Sequence, residues 1–368
     1  MDNKEPTILA IDTSCDDTSV AITKGKSVVI NCVSSQIEMH KKTGGVVPMD
    51  AARAHAIKMD PLIKYAFKRA KLDFTSINAI AVTYGPGLAP ALEVGLKRAK
   101  ELAVEHQIPL IAVNHMAGHI YANWAQTSTG KGGVIEEEWP TIALLISGGH
   151  TEIVLMNGHN EFSIIGETLD DACGECFDKV GRMMGLGYPA GPVIEEFAKK
   201  GNDKKYILPK PMQHTNDLNV SYSGLKTAAF RLIKSISEKE IQNAEKTKAP
   251  PGTEVFVLSK QEVYDICASF QKAALETILF KLEKAINIYP VKRIVLGGGV
   301  VKNKKLRSEA RKIAKRNNIL FNYPKDRLIM DNAAMISIAG YHQYIKGVNV
   351  YNTPEQIGLL DREPSLRF

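Results

Sequence analysis

The sequence predicts an α/β protein of two similar lobes, and three observations carry that expectation. Short apolar runs rich in β-branched residues alternate with longer segments of helical periodicity along most of the chain. The plan of strand, small polar turn and strand occurs twice, at Thr7-Ile-Leu-Ala-Ile-Asp12 with Val20-Ala-Ile22 and at Thr141-Ile-Ala-Leu-Leu-Ile146 with Thr151-Glu-Ile-Val-Leu-Met156. The length, 368 residues, exceeds what one core usually supports. A hairpin opening each half indicates an internal duplication whose two turns face each other across a cleft, an arrangement that can grip a nucleotide from both sides.

The elements justify themselves in order. After the first hairpin, Lys41-Lys-Thr-Gly-Gly-Val-Val-Pro48 is a glycine-hinged loop, and residues 49–71, carrying Arg53 and His55, have helical periodicity. Residues 77–84 read as a strand that runs through Gly85-Pro-Gly87 into a helix over 88–106. Ile108-Pro-Leu-Ile-Ala-Val-Asn114 reads as a buried strand, with a helix starting at its carboxyl end, where open α/β sheets place ligands. That helix opens with His115-Met-Ala-Gly-His119. Positions i and i+4 share one helix face, so the two imidazoles can share a metal ion if a third ligand arrives from elsewhere. A pair of ordinary half-buried histidines explains the segment equally well.

Residues 126–139 are polar, with Glu136-Glu-Glu138, and read as a loop between lobes. Beyond the second hairpin, residues 166–186 read as a helix carrying Asp178, and Tyr188-Pro-Ala-Gly191-Pro192 turns into another that carries Glu195. Asn219-Val-Ser-Tyr-Ser223-Gly-Leu-Lys-Thr227 reads as a small-residue turn, and residues 236–259 as a polar insertion with little share in the core. A long helix over 261–289 leads to Lys292-Arg-Ile-Val-Leu296-Gly-Gly-Gly299, a buried strand entering a glycine loop and then a basic helix. Asp331-Asn332 opens one more helix. The expected organisation is a first lobe over 1–124, a connection over 125–140, a second lobe over 141–345 and a tail over 346–368.

Composition bounds the function. There are 47 basic and 40 acidic residues, a mild excess of +7 that suits a polyanionic partner. The cluster Lys302, Lys304, Lys305, Arg307, Arg311, Lys312, Lys315 and Arg316 reads either as a nucleic-acid surface or as a solvated helix face. Five scattered cysteines argue for reduced thiols, and Cys173-Gly-Glu-Cys176, without a second such pair, for packing residues rather than a zinc or redox site. No apolar run approaches a membrane span, and the first strand begins too soon for a signal peptide, so the expected location is the cytoplasm and no membrane partner is expected.

Taken together, the motifs resemble the bacterial TsaD family, the tRNA N6-adenosine threonylcarbamoyltransferases once called glycoproteases. The landmarks are Ile11-Asp-Thr-Ser-Cys-Asp-Asp-Thr18, Gly44-Gly-Val-Val-Pro48 with Arg53-Ala-His55, Gly85-Pro-Gly-Leu88, His115-Met-Ala-Gly-His119, Ser147-Gly-Gly-His-Thr151, Ser223-Gly-Leu-Lys-Thr227 and Gly297-Gly-Gly-Val300. The resemblance covers nearly the whole chain. It implies the actin-like, sugar-kinase-like (ASKHA) fold, two duplicated α/β lobes around a central nucleotide and metal cleft. It also implies Asp331 as the third metal ligand beside His115 and His119, a two-His, one-carboxylate set that suits Fe(II) and tolerates Zn(II).

The implied reaction moves the threonylcarbamoyl group from threonylcarbamoyl-AMP to the N6 amine of the adenosine beside the anticodon, in tRNAs that read codons beginning with A. The resemblance sets the donor against Leu145-Ile146-Ser147-Gly148-Gly149, with Asp178 and Glu195 near the ribose, Gly191 under the nucleoside and Asn303 at the adenine. Asp12 and Ser147 are the expected catalytic residues. Expected partners are tRNA, a TsaB-like paralogue, a TsaE-like ATPase and a TsaC-type enzyme that supplies the donor.

Several positions depart from the family pattern. Asp12 and Asp17 stand where Glu is usual, Glu195 where Asp is usual, Met49-Asp50 in place of Glu-Leu, and Cys173 and Cys176 at alanine positions. Leu145, where archaeal and eukaryotic relatives carry tyrosine, marks the bacterial branch. Three other readings compete. A zinc protease needs Glu directly after the first histidine, where Met116 stands. A non-catalytic scaffold paralogue would lack the metal ligands; a small-molecule kinase or carbamoyltransferase on the same fold is compatible with the fold alone, and the full metal triad with Gly85-Pro-Gly-Leu88 speaks against it.

Overall fold

The computed structural model describes residues 5–127, 135–243 and 256–368. Parts of the expected inter-lobe loop (128–134) and of the expected insertion (244–255) lie outside the described residues. The first half forms β1 (Thr7–Asp12), β2 (Asp17–Lys24), β3 (Ser27–Ser35), α1 (Ile37–Lys41), α2 (Pro48–Ala70), β4 (Ala79–Gly85), α3 (Ala89–His106), β5 (Leu110–Asn114), α4 (His115–Tyr121) and β6 (Gln126–Thr127). The second forms β7 (Thr141–Ile146), β8 (Thr151–Gly158), β9 (Glu161–Glu167), α5 (Cys173–Met183), α6 (Gly191–Ala198), α7 (Ser223–Asn243) and α8 (Lys260–Ile288). It continues through β10 (Arg293–Gly297), α9 (Lys304–Arg316), β11 (Leu320–Asn322), α10 (Ala333–Lys346), β12 (Val350–Tyr351) and α11 (Pro354–Leu359).

Two sheets result, in the orders β12-β5-β4-β1-β2-β3-β6 and β11-β10-β7-β8-β9. The duplication expected from the two hairpins is visible in the pairing. β1 pairs antiparallel with β2 and parallel with β4, and β7 pairs antiparallel with β8 and parallel with β10.

The period of two along each strand sorts the core into layers. On β1, Leu9 and Ile11 join the outer core with α2 and α3, while Ile8 and Ala10 face inward. On β7, Ile142, Leu144 and Ile146 join the outer core with α5, α7 and α8, while Ala143 and Leu145 face inward. Between the two inward faces lie α4 and α10. The central strands β1, β4, β7 and β10 are therefore covered on both sides, which is why they read as continuous apolar runs.

Three expectations change. Ser223-Gly-Leu-Lys-Thr227 is the first turn of α7, because Asp170 accepts hydrogen bonds from the N–H groups of Tyr222 (2.7 Å) and Ser223 (3.1 Å) and caps that helix from a distant loop. Residues 236–243 continue α7, and Ile236 is buried in the core rather than part of an insertion. Gly166 and Glu167 end β9, so the helix expected over 166–186 begins only at Cys173.

The C-terminal segment also packs differently from the boundary expected at residue 345. α10 lies against the first sheet, β12 pairs antiparallel with β5, and Ile357 and Leu360 join the outer core of the first lobe. The last residues then return toward the second lobe, where Arg367 pairs with Glu167 at 2.8 Å and Phe368 meets Phe162.

Glu152 on β8 is buried, its Oε2 has no hydrogen-bond partner, and burial followed by repulsion from Glu167 pushes its carboxyl up to about 7, against the pull of Arg367. The fold thus holds a proton that the unfolded chain releases at lower pH. The resulting stability is complete below the ordinary carboxyl range and is lost as the pH rises to about 7. Glu152→Gln is expected to match the parent near pH 4 and to exceed it above pH 7 by an amount on the order of 3 kcal/mol, measured by urea unfolding across that range.

Candidate metal centre and cleft

The site is built where α4 and α10 begin. Asn114 ends β5 and caps α4, its Oδ1 accepting from the N–H groups of Met116 (2.8 Å) and Ala117 (3.2 Å). Asn332 caps α10 in the same way, accepting from Met335 N–H at 3.0 Å. Both helix starts therefore sit at the same level between the sheets, with His115 and His119 on one and Asp331 just before the other. The helices can approach this closely because residue 118 is glycine: a Cβ there would lie 2.8 Å from Ile336.

His119 Nε2 lies 3.2 Å and His115 Nε2 3.6 Å from the same Asp331 oxygen, and the three ligand atoms lie within 4.8 Å of one another. The imidazole rings meet edge to face at 4.8 Å. Asp12, fully buried at the end of β1, places Oδ1 3.6 Å from His115 Nδ1. Carboxylate behind imidazole is the arrangement that orients a metal-bound histidine. Burial would lower the pKa of His115, yet Asp12 and Asp331 outweigh it and lift His115 to about 10. Burial would likewise raise Asp331, but the facing imidazoles hold it well below the usual carboxylate range. Two buried histidines and a carboxylate whose ligand atoms converge fit a divalent ion in donor type and in number.

The turn after β7 faces this cluster. Ser147 Oγ accepts from Gly149 N–H (3.3 Å) and His150 N–H (3.0 Å), which leaves its own proton free to donate. A Cβ at Gly148 or Gly149 would meet nothing within 4 Å, so space lies over the turn. Leu145 and Ile146 are fully buried strand residues beneath it. Gly298 supports it from the neighbouring loop: its φ is +90°, and a Cβ would lie 2.5 Å from the Ile146 carbonyl oxygen.

The expected nucleoside-contacting residues form a connected wall, tied to the turn through Gly174 N–H donating to the Ser147 carbonyl at 3.2 Å. Asp178 on α5 accepts from Ala190 N–H at 2.7 Å and so fixes the start of α6, where Gly191 faces open space. Glu195 accepts from Lys304 N–H at 2.7 Å. Asn303 is buried; its Oδ1 accepts from Leu306 N–H (3.0 Å) and its Nδ2 donates to Gln271 (2.7 Å), so both ends of its amide already serve the fold.

Other residues border the site, and among them His150 was given no role from the sequence. Burial and the imidazoles of His115 and His119 push His150 down to about 4, which sets it within electrostatic reach of the cluster; it stands inside the Ser147–Thr151 motif, but a turn has no periodicity to reveal what its side chains approach. His55 bonds Thr18 Oγ1 (2.8 Å) and the Cys15 carbonyl (3.0 Å), pinning the first turn. Asp17 is pushed up to about 7, chiefly by burial and then by Asp16 and Asp331. Cys173 and Cys176 are buried core residues of α5, and the five cysteines are free thiols.

Comparison with known proteins gives the family. Residues 27–338 match the family model described as TsaD: tRNA N6-adenosine threonylcarbamoyltransferase. The chain belongs to the TsaD family. A relative of that name from Thermosipho africanus is 43% identical, with 95% of this chain and 98% of the relative covered. One from Bacillus subtilis is 42% identical over 97% and 96%. Among solved structures, full-length HypF in its phosphate- and nucleotide-bound form matches 93% of this chain and 47% of its own with a TM-score of 0.58 at 14% identity, a likeness of fold. The fold is the two-lobed, actin-like class expected from the sequence. No helix of the described residues is long and apolar enough to cross a membrane.

A metal must displace the proton on His115, so loading is expected to weaken by about tenfold per unit as the pH falls from 9 to 6, read by competition with a zinc-binding dye. Asp12→Asn is expected to weaken loading by about 10–100-fold with the fold intact by circular dichroism.

Proposed function

We infer that the chain is a tRNA N6-adenosine threonylcarbamoyltransferase. The observation that carries this is the match to relatives of that name at 41–43% identity over nearly the full chain. The finer reading concerns the site. We propose threonylcarbamoyl-AMP as the donor and the t6A nucleoside beside the anticodon as the product, with one divalent metal, Fe(II) favoured over Zn(II), held by His115, His119 and Asp331.

Such a metal, when bound, supplies a Lewis acid beside the donor's oxygens. The chain's own residues do the rest. Asp12 is fully buried and acts through His115, which makes it a positioning residue rather than one that touches substrate. Leu145 and Ile146 hold the turn, and the free Ser147 proton together with the Gly148-Gly149 backbone is suited to hold the carbamoyl oxygen as negative charge develops there. The adenosine amine then attacks the carbamoyl carbon and gives up one proton to solvent, the carbon–oxygen bond of the mixed anhydride breaks, and AMP leaves with that bond's electron pair.

Asp178 and Glu195 are assigned to the ribose end of the donor, Gly191 to the space under the nucleoside and Asn303 to the adenine, the last by exchanging its bond to Gln271. The exposed side chains of α9, Lys304, Lys305, Arg311, Lys312, Lys315 and Arg316, offer charge to tRNA phosphates, although Lys305, Lys312 and Arg316 also pair with Glu309 or Glu283. A TsaB-like paralogue, a TsaE-like ATPase and a donor-forming TsaC-type enzyme complete the proposed system, located in the cytoplasm.

The test is transfer of labelled threonine from preformed threonylcarbamoyl-AMP to unmodified tRNA, with partner subunits and Fe(II) or Zn(II) supplied. The intact chain is expected to transfer, His115→Ala to lose at least about 100-fold, and Ser147→Ala about 100- to 1,000-fold in kcat. Failure of the intact chain under these conditions would overturn the reading.

A further inference from the structure

A second group of potential metal ligands lies outside the cleft. Glu137, from the connection between the lobes, His159, from the turn between β8 and β9, and His342, on α10, bring their ligand atoms within 4.8 Å of one another. Glu137 Oε2 stands 3.0 Å from His159 Nε2, a contact without hydrogen-bond alignment. The two imidazoles stack at 3.7 Å with 22° between their planes. His342 is only 7% exposed. Its Nε2 and both nitrogens of His159 are buried without a hydrogen bond in the chain. Orphaned buried donors and acceptors are rare, and three on two touching rings call for a ligand.

The surroundings select its chemistry. Tyr121, Trp124 and Trp139 wall the group. Burial keeps both imidazoles in the neutral form that binds metal, pushing His159 down and His342 to about 3. Lys26 holds the other Glu137 oxygen at 3.0 Å, and Lys346 donates to the His159 carbonyl at 2.8 Å. Two nearby ammonium groups disfavour a hard cation that relies on net negative charge, so binding must rest on the imidazole nitrogens, the preference of Zn(II) and its neighbours in the transition series. Zinc in tetrahedral geometry holds its nitrogen and oxygen ligands about 3.3 Å apart. Binding therefore requires the ligand atoms to draw together by up to about 1.5 Å and the rings to turn out of their stack so that their in-plane lone pairs converge.

We propose that Glu137, His159 and His342 form a second, structural site for an imidazole-preferring divalent metal, Zn(II) in particular, that pins the junction of the two lobes. One ligand comes from the connection, one from the second sheet and one from the helix between the sheets, so the ion ties all three together. The site is independent of the chemistry assigned to the cleft.

The test is equilibrium dialysis of the full chain, stripped by chelator, against Zn(II), with bound metal counted by mass spectrometry. The parent is expected to hold two zinc ions. His115→Ala with His119→Ala should hold one and still show a zinc-dependent rise in Tm. Adding His159→Gln or His342→Gln should remove that ion and the rise in Tm, and adding Glu137→Gln, a change on the exposed connection, should weaken the remaining ion at least about 10-fold. A cleft double variant that is folded by circular dichroism yet binds no zinc, or that keeps its ion after either glutamine substitution, would overturn the proposal.

Discussion

The structure depends on a layer of two helices held between two sheets. α4 and α10 lie where the inward faces of both lobes meet, and their capped starts bring His115, His119 and Asp331 to one point. The constraint is steric. Alanines at positions 10, 21, 79 and 81 keep the inward face of the first sheet shallow, and Gly118 lets α4 approach α10. Larger side chains in this layer would part the sheets and separate the ligands before any metal bond was tested.

Electrostatics follow from that packing. A buried carboxylate at Asp12 and another at Asp331 bracket His115, and without a metal the cluster holds a proton in its place. Placing Asp331 just before the start of α10 adds the favourable end of a helix dipole to the field of the imidazoles. The cleft thus pairs a charged cluster with a glycine turn whose serine proton is free to donate.

Legibility in the sequence followed the periodicity of each element. Strands and helices that carry a regular apolar pattern, β1, β5, β7, α3 and α8, read correctly because both faces or one stripe must be buried. The start of α7 did not, because its cap, Asp170, lies 53 residues before Ser223 and no local signal announces it. Asp178, Glu195 and Asn303 were named from family likeness as nucleoside contacts; their second task, capping α6 and α9 and bonding Gln271, is invisible without coordinates. His150 lay inside a recognised motif, yet only the folded turn brings it within electrostatic reach of His115 and His119.

The sequence alone determined the α/β class, the duplicated hairpins and the family, since these rest on patterns repeated every two or four residues and on motifs whose order survives as text. Tertiary structure decided which distant residues share a site. Asp331 reaches the histidines 212 and 216 positions earlier, and the C-terminal segment returns to the first lobe, because burial is satisfied in space and not along the chain.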